Sequence, residues 1–198
     1  MNRSSFGWGV AVGIIATSIL AQWELSAGSK EAGSPPSIPA KTVADYVHAV
    51  IRADRTIYTT EIVDRMELRG IVFASENWKE RGAIPLPAQF LNEAGELLHE
   101  QGIGVRFRLI SNWPINKRNG PTTEFERTGL AEIVANSDRP YTGLSTEGGI
   151  RYFQALYADK AVSHSCVGCH NAHPNSPKRD FKLLDVMGGI LLMIPLPQ

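Results

Sequence analysis

Cysteine is nearly missing from this chain: its 198 residues include two, Cys166 and Cys169. Two thiols three positions apart cannot form the disulfide framework that staples a small secreted domain. They must be read together, as one local site. An excess of charge is missing as well. Lys and Arg number 20, Asp and Glu number 20, and the formal net charge is zero. A nucleic-acid binder shows a basic excess or a basic stripe, and this chain has neither, so nucleic acid is not an expected partner. No internal repeat is apparent. What is present is ample apolar material, 43% of residues, which suits a packed core.

The amino end differs from the rest. Arg3 gives a short positive start, and from Phe6 to Trp23 there is no charged residue. Those 18 residues would span about 27 Å as a helix. That length lies between a cleavable export signal and a spanning helix. Trp8 and Trp23 lie near its two ends, where aromatic side chains favour the membrane interface. Residues 1–25 therefore read as a signal peptide or membrane anchor, with Ala21 and Ala27 as candidate cleavage points. Either way the remainder is expected outside the cytoplasm, periplasmic or otherwise extracytoplasmic, anchored or secreted. Residues 26–40, SAGSKEAGSPPSIPA, have the composition of a flexible linker. One folded domain is then expected over residues 41–198.

Along that domain, Thr42 is a plausible N-cap for a long helix running to about Leu68. Val43, Val47, Val50, Ile51, Tyr58, Ile62 and Met66 recur at helical steps and predict one apolar stripe. His48, Arg52 and Arg55 fall on a neighbouring face, because steps of four and seven align side chains. A second helix is expected over residues 88–101 and a third over 123–136. Strands are expected over 105–111, 150–157 and at the end of the chain within 181–195. Residues 112–121 read as a polar loop. Helices mixed with short strands indicate the α+β class.

The motif Cys166-Val167-Gly168-Cys169-His170 is the attachment pattern of haem c. Two thiols add across the two vinyl groups of haem, and the next residue turns its imidazole to the iron as proximal ligand. Two other readings compete. Cys166, Cys169, His170 and His173 are a candidate zinc set, but adjacent ligands at 169 and 170 are awkward for one tetrahedral ion. A redox-active Cys-x-x-Cys would open a helix after a strand, as in a thioredoxin unit. Export favours haem, since haem c is attached outside the membrane. The position is unusual for a small cytochrome, because more than a hundred residues of mixed structure precede the motif and only 28 follow His170.

Several stretches resemble the single-haem c-type domains with a PAS-like fold, formerly a domain of unknown function. They are Ala44-Asp45-Tyr46-Val47-His48, Ile84-Pro85-Leu86-Pro87-Ala88, Arg108 to Pro114 (RLISNWP) and, most specifically, residues 165–196 (SCVGCHNAHPNSPKRDFKLLDVMGGILLMIPL). The resemblance covers nearly all of residues 41–198. It implies an antiparallel PAS-like sheet with flanking helices and one covalent haem. Such domains occur alone behind a signal or anchor, and as sensor modules ahead of signalling domains. This chain ends soon after its last expected strand, so a sensing role would need a separate signalling protein.

The resemblance also implies a sixth iron ligand on the first helix, which is a cysteine in some members. Both cysteines here are committed to thioethers. His48 is the candidate in its place, with Met187 next and Met66 after it. His99, His164 and His173 are weaker candidates. Arg52 and Arg55 are candidates to meet the haem propionates. The expected role is electron transfer or redox sensing with a redox partner protein; gas or small-ligand sensing is the alternative. No distal acid–base pair is visible, so no enzyme is expected.

Overall fold

A computed structural model describes residues 37–197 of the chain. The expected signal or anchor segment over 1–25 and most of the expected linker over 26–40 lie outside these residues. Among the described residues, no helix is long and apolar enough to cross a membrane.

The domain opens with helix α1 (Ala40–Ile57), which continues through a π-helical turn (Tyr58–Val63) into α2 (Asp64–Leu68). Pro39, not Thr42, occupies the N-cap, and no side chain caps this end. The predicted apolar stripe is only partly the buried one. Ala44, Ile51, Arg55, Thr59 and Val63 face inward, whereas Val50 is 61% exposed and Ile62 is also exposed. Two physical causes explain the shift. The π turn carries more residues per turn than the α-helix and rotates the inward face. Two polar residues also fit the interior because each finds a partner there: Arg55 in Asp159, and Thr59 in the Arg55 carbonyl oxygen, to which its hydroxyl donates at 2.7 Å.

Two short strands, β1 (Ala74–Ser75) and β2 (Ile84–Pro85), pair in parallel around the single-turn α3 (Trp78–Arg81). Helix α4 (Pro87–Glu100) and α5 (Glu124–Ala135) fall within a residue or two of expectation. Thr123 caps α5: its hydroxyl accepts from the Glu126 N–H at 3.2 Å while the Glu126 carboxylate reaches back.

The main sheet has four antiparallel strands in the order β3 (Arg106–Ile110), β6 (Val186–Pro195), β5 (Ile150–Lys160), β4 (Tyr141–Glu147). The α+β class and the antiparallel sheet with flanking helices are thus what the structure shows. β5 runs three residues beyond the expected end, and the last strand starts at Val186 rather than Phe181. β4 was not expected at all. It forms a hairpin with β5 across Gly148 and Gly149, both at positive φ.

Side chains alternate across the sheet. Ala155, Tyr157, Ile190, Leu192 and Ile194 pack on one face with Ala44 and Ile51 of α1 and Leu91 of α4. Tyr152, Leu156, Leu191 and Met193 pack on the other with Leu130 and Ile133 of α5. Gly188 and Gly189 let β6 sit this close. A Cβ on Gly188 would lie 2.4 Å from the Ile110 carbonyl oxygen, and one on Gly189 would lie 2.7 Å from both Ile133 and Leu156.

Candidate functional site

The motif lies within a helix, α6 (His164–Ala172), which follows β5 after a three-residue link. Ser163 starts it, accepting the Ser165 N–H on its hydroxyl at 3.0 Å. The helix explains the spacing of the motif. Residues at i, i+3 and i+4 share one helical face, so both thiols and the His170 imidazole point the same way. No residue of α6 is buried. Its carboxyl end is fixed by Asn171, whose amide donates to the Phe181 carbonyl oxygen at 2.9 Å and accepts the Phe181 N–H at 3.0 Å.

Cys166 is half-buried against a small apolar cluster of Ala161, Phe181 and Met187, with Trp113 and Val167 beside it. Burial pushes its thiol up; the Arg55 charge acts the other way. Cys169 is more open to solvent, yet its partial burial and then the Glu76 carboxylate push its thiol up as well. Both thiols are free and protonated at neutral pH. Reactive cysteines and thiolate metal ligands require the opposite shift. The redox reading therefore loses its chemistry, although the motif does sit in a helix after a strand as that reading expected. The zinc set is not assembled either. Among the described residues, no group of three or more His, Cys, Asp or Glu side chains is gathered to hold a metal ion. His173 turns away to face Glu76, with 3.5 Å between Nε2 and the carboxylate.

His170 stands edge-on to Phe181, with ring centres 5.8 Å apart. Burial first, then the neighbouring His173 and Arg55, lower its pKa, so the ring is neutral at neutral pH. Its Nδ1 is buried with no hydrogen-bond partner. A neutral imidazole is the form that binds a metal.

His48, Arg52 and Arg55 are brought together as expected. All three line a cavity of about 520 Å³ beside α1 and β5. His48 stacks flat on Tyr157, ring centres 3.9 Å apart, and its Nε2 is buried without a partner. Burial and the Arg52 charge lower its pKa to about 4. Arg52 is exposed, whereas Arg55 is buried and already paired with Asp159 at 3.0 Å. Cys166, Cys169 and His170 do not line this cavity. Arg55 is the link between the two places, since its charge is felt at both Cys166 and His170. Met187, by contrast, packs in the same cluster as Cys166. Met66 is half-buried on α2, and His99 and His164 are exposed.

Sequence reasoning missed Tyr157, Asp45 and Asp159. Tyr157 donates its hydroxyl to Asp45 at 2.7 Å, and Asp45 stands one helical turn before His48. That short spacing was the one available signal; the strand residues carried none.

A family model of the Tll0287-like proteins matches residues 37–195. A solved structure described as that of the cyanobacterial heme-protein Tll0287 is 15% identical and covers 82% of this chain and 99% of its own, with a TM-score of 0.49. No curated protein matches. The matched span takes in every helix and strand described above, together with the Cys-x-x-Cys-His helix, and the chain belongs to the Tll0287-like family.

Proposed function

We propose that this chain is an exported c-type cytochrome with one covalent haem, serving electron transfer or redox sensing. The observation that carries this is the single face of α6 that Cys166, Cys169 and His170 share, on a helix none of whose residues is buried. The residues fit the group. Two protonated thiols are the form that adds across vinyl groups, and a neutral imidazole with a buried, unpartnered nitrogen is fit to ligate iron. Trp113, Phe181 and Met187 supply apolar cover beside Cys166. Bound there, haem supplies one-electron chemistry, with a potential set by its ligands and burial.

The other residues take supporting roles. Arg55, whose charge reaches the motif, is the candidate to meet a propionate beside its partner Asp159, with Arg52 one turn earlier on α1. Two side chains compete for the sixth iron position. His48 offers a neutral ring with an unpartnered Nε2, and Met187 packs with Cys166 itself. The charge-free run from Phe6 to Trp23 supports export, and with it an extracytoplasmic redox partner.

Absorption spectroscopy tests the reading. Reduced protein should show sharp c-type bands that persist after acid-acetone extraction and vanish in Cys166→Ala with Cys169→Ala. Pigment lost to the solvent from the wild type would refute covalent attachment. Conversion from low to high spin in either His48→Ala or Met187→Leu identifies the sixth ligand.

A further inference from the structure

The cavity beside α1, part of whose wall the haem reading uses, holds further features that it does not. Five cationic residues line it against three carboxylates. Each carboxylate is already taken: Asp45 by Lys41 at 2.8 Å, Asp159 by Arg55 at 3.0 Å and Asp138 by Lys160 at 3.6 Å. Arg52 and Arg139 remain in the wall without a carboxylate partner among the described residues. Two buried nitrogens also lack partners, His48 Nε2 and Arg55 Nε, and both belong to lining residues. Arg55 is only 7% exposed. Buried polar groups are nearly always hydrogen-bonded, so Arg55 Nε, and His48 Nε2 where Met187 holds the iron, call for a partner at this cavity.

The rest of the wall is apolar. Val162, Ile190 and Leu184 line it, with the stacked His48 and Tyr157 rings. Leu184 is unusual. It holds φ at 69°, the one non-glycine residue at positive φ among those described, and it is 66% exposed. A backbone bond from its N–H to the Ala161 carbonyl oxygen at 2.9 Å keeps it there. A bulky side chain in a conformation suited to glycine, on the wall of a cavity, is a costly arrangement of the kind found at binding sites. A volume of about 520 Å³ is within the range of small-molecule sites.

We infer that this cavity binds a small organic acid, its carboxylate held by Arg52 and Arg139 and its apolar body against Ile190, Val162, Leu184 and the Tyr157 ring. A carboxylate could also arrive as a haem propionate, and the test separates the two sources. Full-length holoprotein is titrated calorimetrically with succinate and with benzoate. At least one should bind saturably with a dissociation constant at or below about 1 mM. Arg139→Gln should weaken it tenfold or more while leaving the haem spectrum and the circular dichroism unchanged, and Arg52→Gln should weaken it tenfold or more with the circular dichroism unchanged. Both arginines are exposed, so these variants should fold. Absence of binding by both acids overturns the inference. So does binding that ignores both substitutions, because the site is then elsewhere. Binding seen only when Cys166→Ala and Cys169→Ala remove the haem also overturns it, and assigns the cavity to the propionates. The spectrum reports on haem and the calorimetry on the cavity, so failure of one is distinguishable from failure of the other.

Discussion

The Arg55–Asp159 pair gives a prediction whose size follows from burial. Each residue is 7% exposed, and their nearest side-chain atoms are 3.0 Å apart. A pair this deep differs from a surface ion pair, which contributes about 0–1 kcal/mol. Removing one partner strands the other charge, and the expected cost is about 3–5 kcal/mol. The two single variants should not be equal. In Asp159→Asn the guanidinium stays charged, because arginine does not deprotonate in proteins, and the full penalty applies. In Arg55→Met the carboxyl can escape by taking up a proton. Burial already raises its pKa against the pull of Arg55, and the substitution raises it further. A folded-state pKa above the unfolded one means stability that is present at acid pH and is lost as pH rises through the folded value. Arg55→Met should therefore lose about 1.4 kcal/mol per pH unit from about 3.9 up to its new folded pKa, a window that reaches higher than in the wild type, so the loss relative to wild type falls in its upper part. The double variant Arg55→Met with Asp159→Leu should recover to within about 1–2 kcal/mol of wild type, since an apolar pair can replace a buried ionic one. Urea denaturation at pH 5 and pH 7, with the slope checked for constancy, measures all of this. Single variants each within about 1 kcal/mol of wild type, or a double variant worse than their sum, would refute the reasoning.

Other predictions concern the supports of the site and sheet. Glu126 is buried, and although burial acts to raise its pKa, bonds from the Thr122 N–H at 2.6 Å and from Arg108 at 2.5 Å hold it below its ordinary 4.5. Its stabilisation is present above that value and is lost as pH falls. Glu126→Gln should cost about 1.5–3 kcal/mol at pH 7 and flatten the acid limb of the stability profile. Gly188→Ala should lower stability by about 1–3 kcal/mol in the same assay, because its Cβ would meet the β3 backbone and not a flexible side chain. Leu184→Gly should raise the melting temperature, since relief of a left-handed conformation is worth about 1–2 kcal/mol and this exposed side chain has little packing to lose. A fall in melting temperature would mean that the leucine makes contacts outweighing its strain.

Local signals made much of this protein legible. Thr123 and Glu126 announce the start of α5 because both halves of a capping box lie three residues apart in sequence. The Cys-x-x-Cys-His run identified itself by spacing, and the helix later explained that spacing. Features whose cause lies far along the chain were not legible. Arg55 can be named as a propionate candidate, but its buried ion pair is hidden because Asp159 lies more than a hundred residues later. His48 can be named as a ligand candidate from its place on α1, but its stacking on Tyr157 cannot be read from sequence. The phase of α1 was misread because nothing in Tyr58–Val63 advertises a π turn. β4 was missed for another reason. Its Thr, Ser and Gly residues alternate too weakly in polarity, so only the Gly148-Gly149 turn hinted at a hairpin.

The most direct test of the central claim is the intact mass of the purified protein, produced in cells able to attach haem c, for wild type and for Cys169→Ala. Covalent attachment through α6 predicts a wild-type chain heavier than its polypeptide by one haem, with a lower or absent haem-bearing fraction in the variant. A wild-type chain at its bare polypeptide mass under those conditions would contradict the account.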